Sequence, residues 1–230
     1  MFRPIRQLLW IQRLFVVVIG VNITLILAGL LVVPATIGSS TVVGSTLGDV
    51  GMQAALAALA LRGPWSFQQY RTSIGISVAL GLMFAALYAG DILLEFQGIQ
   101  TNANIVALFG GVAFIAGLAA SYRTRQWRQG LGAAIWALVI GTALWSAAIL
   151  LINYVAWGSH QQYVFMLNDG AVGDFHRSGS HDFNAFLLQD IQGALFFHPL
   201  LSVVVGTISG LVSSSVAQGV LVLQRSFRPL

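Results

Sequence analysis

Cysteine is absent from this 230-residue chain, and so is lysine. The first absence excludes disulfides, thiolate metal sites and thiol nucleophiles. The second excludes a Schiff-base amine, and with it a retinal-type site. Charge is scarce: charged residues make up 8% of the chain, against about 25% in an ordinary soluble domain. Hydrophobic residues make up 57%, and mean hydropathy is +0.83. A chain so poor in charge cannot clothe a water-facing surface, so it belongs in a bilayer. Neither a GxSxG nucleophile elbow nor a phosphate-cradling P-loop occurs. The balance is basic, at +4, but the eleven arginines lie between apolar runs rather than in one patch. Nucleic acid is therefore not an expected partner, and the arginines read as topological signals.

What the chain does have is long apolar runs. About 20 such residues cross the hydrocarbon core as a helix, which satisfies its own backbone there. Spans are expected at 14–33, 42–61, 73–94, 103–122, 131–157 and 200–223. The first run is 20 residues long, longer than the roughly 7 to 15 of a signal-peptide core, so it reads as a retained anchor. The second contains Asp49 and Gln53 and is the least apolar, yet Arg3, Arg6 and Arg13 precede the first run while Arg62 and Arg71 follow the second. Two cytoplasmic basic flanks require a return crossing between them. Six crossings then leave Arg123, Arg125, Arg128, Arg225 and Arg228 inside as well. Arg177 stays outside with Asp49, Asp91, Glu95, Asp169, Asp174, Asp182 and Asp190. The expected fold is an all-α, six-span bundle forming a single domain in the cell inner (plasma) membrane, with both termini cytoplasmic.

The last apolar region, Ile191 to Leu223, would reach about 50 Å as one helix, against a core of about 30 Å. Pro199 suits a helix start, so the last span is expected to begin there. Upstream, Phe183, Phe186, Leu187, Ile191, Ala194 and Leu195 recur at helical spacing. They predict a short amphipathic helix over 183–197 on the outer surface, after an outer loop over 158–182.

Three groups of residues could carry function. All four histidines, His160, His176, His181 and His198, fall within 39 residues. His176 and His181 with Asp174 and Asp182 form a candidate metal set, although the His-x4-His spacing on a Gly/Ser-rich stretch fixes no common face. His198, at a helix end, is a candidate axial ligand for a pigment or haem. The second group is intramembrane and polar: Asn22, Asp49, Gln53, Asp91 and Glu95. Asp49/Gln53 and Asp91/Glu95 are each spaced i, i+4 and so share a helix face, and carboxylates in spans tend to mark ion or proton paths. The third is a row of small residues, Ser202, Gly206, Gly210 and Ser214, suited to close helix packing and to a central place for the last span.

No motif names a cofactor. The expected partners are the lipid bilayer and either other membrane subunits or a second copy of the chain. The first functional expectation is a non-catalytic subunit or scaffold of a membrane complex. A small transporter or channel with an acidic outer vestibule is the alternative, and a metal-dependent enzyme at the outer face is the second alternative.

Overall fold

The computed structural model describes residues 3–32, 40–62, 66, 69–70, 72–93 and 102–226. These residues are 91% helical, with no strand among them. They form α1 (Arg3–Val32), α2 (Ser40–Leu61), α3 (Ile74–Leu93), α4 (Asn102–Thr124), α5 (Trp127–Val155), α6 (His160–Asp169), α7 (Ala171–Ser178) and α8 (Phe183–Ser226). By length and composition five of them can cross a membrane: α1, α2, α4, α5 and α8. In α3, the described apolar stretch is the shorter Ile74–Leu87.

The axis of the bundle is α5, not the last span. It is 72% buried over its apolar window, against 28% for α1, α2 and α8, and it packs against α1, α3, α4 and α8. Its sequence explains the position. Gly130, Gly132, Ala133, Ala134, Ala137, Gly141 and Ala143 leave nearly every face of the helix small and buried, so neighbours can approach its backbone from several sides. Gly117 of α4 and Gly130 meet so closely that a Cβ on Gly130 would stand 2.6 Å from the Gly117 carbonyl. On the α3 side, a Cβ on Gly81 would stand 2.8 Å from the Ala137 carbonyl.

Contact registers give the helix directions. Between α3 and α5 the partners advance together: Ser73 with Gln129, Ser77 with the Ala133 carbonyl, Gly81 with Ala137. These two helices run parallel. So do α1 and α5, from Phe15 with Trp136 to Asn22 with Ala143 to Leu25 with Tyr154. Against these, α8 runs antiparallel to α5, pairing Ser202 with Thr142 and Ser214 with Trp127. It runs parallel to α4, pairing Gly210 with Gly117, Ser214 with Ser121 and Gln224 with Tyr122. It also runs parallel to α2, through Gln192 with Ser45 and Phe196 with Gly48. Thus α1, α3 and α5 point one way, and α2, α4 and α8 the other.

Two expectations are corrected over 158–223. Residues 158–182 are not a loop but the short helices α6 and α7. The Ser159 hydroxyl accepts the Gln162 amide to start α6, and left-handed Gly170 (φ 90°) turns the chain into α7. Nor does Pro199 break the chain: it lies inside α8, a single helix of 44 residues, about 66 Å long at 1.5 Å per residue. Proline removes one backbone donor from a helix interior. Beside that gap the His198 ring donates through Nδ1 to the Ala194 carbonyl at 2.8 Å, and the Ser202 hydroxyl donates to the His198 carbonyl at 2.8 Å. The apolar face foreseen over 183–197 is present, but it packs on protein. Leu187, Ile191 and Leu195 join Met166, Ala171 and Val172 of the α6–α7 cap in one buried cluster.

Candidate functional site

A buried polar seam follows α2 from its N-terminal end to the middle of the bundle. The inward face of α2 carries Val42, Thr46, Asp49, Gln53, Leu56 and Ala60, all buried. These positions alternate steps of three and four, so one stripe faces the bundle. Polar groups fill the N-terminal half of the stripe, and Leu56 and Ala60 fill the C-terminal half. Gln192 of α8 is clasped at the N-terminal end. Its Oε1 accepts the Ser45 hydroxyl at 2.7 Å, its Nε2 donates to the Thr46 hydroxyl oxygen at 2.7 Å, and Thr46 in turn donates to the Val42 carbonyl at 2.8 Å.

One to two turns further in, α1 and α5 join the seam. Asn22 Nδ2 donates to the Ala143 carbonyl at 2.9 Å and more weakly to Gln53 Oε1 at 3.4 Å. Asn22 and Ala143 lie near the midpoints of Trp10–Val32 and Trp127–Val155, and Gln53 near that of Thr41–Leu61. The adjoining pair Thr142 and Ser202 is hydrogen-bonded at 3.2 Å. Between the Gln192 clasp and this layer sits Asp49, 1% exposed.

Four polar atoms here lack a hydrogen-bond partner among the described residues: both carboxyl oxygens of Asp49, Asn22 Oδ1 and Gln53 Nε2. Buried polar groups are ordinarily hydrogen-bonded, and leaving one unsatisfied costs about 1–3 kcal/mol, more for a charged group. A carboxyl group within a span and without a partner marks a functional site more often than a structural one. Three of the four orphan atoms are acceptors, which suits a small cation or a hydrogen-bond donor.

The other expected residues fall elsewhere. Asp91 belongs to α3, but its side chain, like Glu95, lies outside the described residues. The helix α3 packs against α4 and α5, whereas α2 packs against α1 and α8. The seam on Asp49 is therefore completed by Asn22 of α1 and Gln192 of α8. Asp174 pairs with Arg177 on the exposed surface of α7. His176 is exposed, its ring 5.5 Å from that of Phe175. His181 is exposed, and Asp182 Oδ1 accepts the Ala185 amide at 3.1 Å, capping α8. Among the described residues no three His, Asp or Glu side chains gather as metal ligands would. The His198 ring stands 4.6 Å from the Trp145 ring and 6.2 Å from Phe109, with Nδ1 occupied by Ala194.

The small-residue row is consumed within the bundle. A Cβ on Gly206 would stand 2.8 Å from Ile135, and one on Gly210 2.9 Å from Ala134. Ser202 and Ser214 bond Thr142 and the Trp127 carbonyl. Sequence reasoning missed Gln192 and the Ser45/Thr46 clasp. Thr46 could have been found, since it continues the Asp49/Gln53 stripe by one turn; Gln192 is not among the apolar residues that mark the 183–197 helix in the sequence. Comparison with protein-family models, with curated proteins and with solved structures finds no match to the chain.

Proposed function

We propose that the chain is a six-span membrane protein with both termini cytoplasmic, and that it acts as a small transporter or channel for a monovalent cation through the seam around Asp49. The threading is supported by helix direction: α1, α3 and α5 run opposite to α2, α4 and α8, as successive crossings require. Its α3, of 20 residues, is about 30 Å long and matches the hydrocarbon thickness. Among the described residues, Arg3, Arg6, Arg13, Arg62, Arg123, Arg125, Arg128 and Arg225 fall at the end where α2 finishes and α3 begins, which fits the positive-inside rule.

The observation that carries the transport reading is the Asp49 carboxyl group, buried with both oxygens unpartnered among the described residues, beside the orphan atoms of Asn22 and Gln53. The polar half of the stripe leads from the outer end of α2 to Asp49, and the inner half is apolar, the form of an outward-opening site closed on the cytoplasmic side. The test is cation flux into liposomes containing the purified protein. Wild type is expected to conduct Na+, K+ or H+, and Asp49→Asn, which keeps the shape and a polar group, to lose at least tenfold. Wild-type liposomes no leakier than empty ones, or flux unchanged in Asp49→Asn, would sink the reading.

A second reading, a non-catalytic subunit or scaffold, is favoured by the outward side of α2. There Gly44 and Gly51 meet nothing within 4 Å and Ala55 and Ala58 are exposed, leaving a smooth face. Under it, Asp49→Asn leaves the activity of the assembly intact.

A further inference from the structure

We propose that the furrow between α1 and α2 binds one anionic phospholipid, with an acyl chain along the furrow and the phosphate at Arg62. The furrow has a volume of about 430 Å³ and opens sideways from the bundle. Its walls are Ile19, Gly20 and Ile23 of α1 and Ala54 and Ala58 of α2, and Arg62 stands at one end. Small residues make the space: a Cβ on Gly20 would meet nothing within 4 Å. Exposed Val17, Val21 and Leu59 flank it, so its surroundings are apolar as well.

Charge complementarity selects the occupant. The end of the furrow is fixed by the bond from Gln12 Nε2 to the Ala60 carbonyl, and the next residue, Arg13, is exposed there like Arg62. No Asp or Glu occurs in 3–32 or 50–62, and neither arginine has a carboxylate partner among the described residues. An apolar trough ending in two uncompensated guanidinium groups matches an acyl chain joined to a phosphate, which a guanidinium binds through paired, charge-assisted hydrogen bonds. A zwitterionic headgroup would bring its own cation to the same place and gain less. The furrow lies on the inner side of the Asn22–Gln53 layer, so its occupant is separate from anything held at Asp49.

Native mass spectrometry of the full chain, loaded with equal amounts of phosphatidylglycerol and phosphatidylcholine of identical acyl chains, tests this. Wild type is expected to retain phosphatidylglycerol several-fold over phosphatidylcholine. Arg62→Gln should abolish the preference, Arg62→Lys should keep only the part that charge alone supplies, and Gly20→Leu should lower retention of both lipids by filling the trough. Ala58→Leu, at an exposed position, repeats the filling test if Gly20→Leu folds poorly. Equal retention of the two lipids by wild type, or unchanged phosphatidylglycerol binding in Arg62→Gln or in the filled variants, would overturn the proposal. So would displacement of the lipid by millimolar inorganic phosphate, which would reveal an anion site indifferent to the acyl chain.

Discussion

A single hydrogen atom in place of a methyl group decides how closely α4 and α5 approach. A Cβ on Gly130 would collide with the Ser121 and Ser214 hydroxyls and the Gly117 carbonyl at once, and only the hydroxyls can swing away. Overpacking a tight core costs about 1–3 kcal/mol. Gly130→Ala is therefore expected to lower the melting temperature in detergent, and Gly20→Ala, whose Cβ meets nothing, to leave it unchanged. A different residue-scale effect belongs to Tyr70, in the connection between α2 and α3. It is 6% exposed and lies against Gly132. Burial pushes its hydroxyl above the ordinary value of 10.0, and the Arg128 charge offsets part of the rise. Below pH 10.0 folded and unfolded chains both hold this proton. As pH rises further the unfolded chain releases it first, so stability falls until the folded-state value is passed. Denaturation measured from pH 8 to pH 11 should show this alkaline loss in wild type and a smaller one in Tyr70→Phe.

At the scale of elements, side-chain amides join helices that apolar packing alone would leave free to slide. Gln129 of α5 accepts the Thr72 and Ser73 hydroxyls at 3.0 and 2.9 Å and donates to the Gln69 carbonyl at 2.9 Å. It thereby fixes where α3 starts along α5. Replacing it by leucine removes all three bonds; Ser73 keeps its bond to the Tyr70 carbonyl, and Thr72 and Gln69 are exposed to water, so the loss is that of the bonds, about 0.5–1.5 kcal/mol each. Gln129→Leu is expected to destabilise the protein by about 1–3 kcal/mol, and a chemical denaturation midpoint checks it. Gln162 does similar work in the cap, donating to Asn153 Oδ1 at 3.2 Å and accepting the Gly158 amide at 2.8 Å. The same scale explains α8. The Pro199 signal is local, while the decision to continue the helix is made by its neighbours, through Leu195 in the core and the His198 and Ser202 bonds on either side of the ring.

For the whole molecule, the absence of cysteine turns topology into a clean experiment, since every labelled thiol is an introduced one. Ser178→Cys, exposed on α7, should react with an impermeant maleimide added outside intact cells. Gln126→Cys, exposed in the two-residue turn between α4 and α5, should react only after the membrane is opened. Labelling of both from the same side would contradict six crossings. How much of this was legible beforehand follows from the physics of each signal. That the chain forms long apolar helices was readable because a bilayer imposes a length and a composition on any helix that crosses it. Asn22, Asp49 and Gln53 stood out because polar groups are costly there. The centrality of α5 was not readable, because its small residues look like any others until neighbours are known to press on them. The clasp of Gln192 by Ser45 and Thr46 joins residues 146 and 147 positions apart, a pairing that no local pattern announces.

The central place of α5 bears on how the protein is made. Much of its contact surface belongs to α8, which leaves the ribosome after every other described helix. Until then Gly130 and Ala134 face lipid or a chaperone, and Ser45 and Thr46 wait for Gln192. Assembly is thus committed only once α8 has been made, and a chain cut short before residue 183 presents an open seam to membrane quality control.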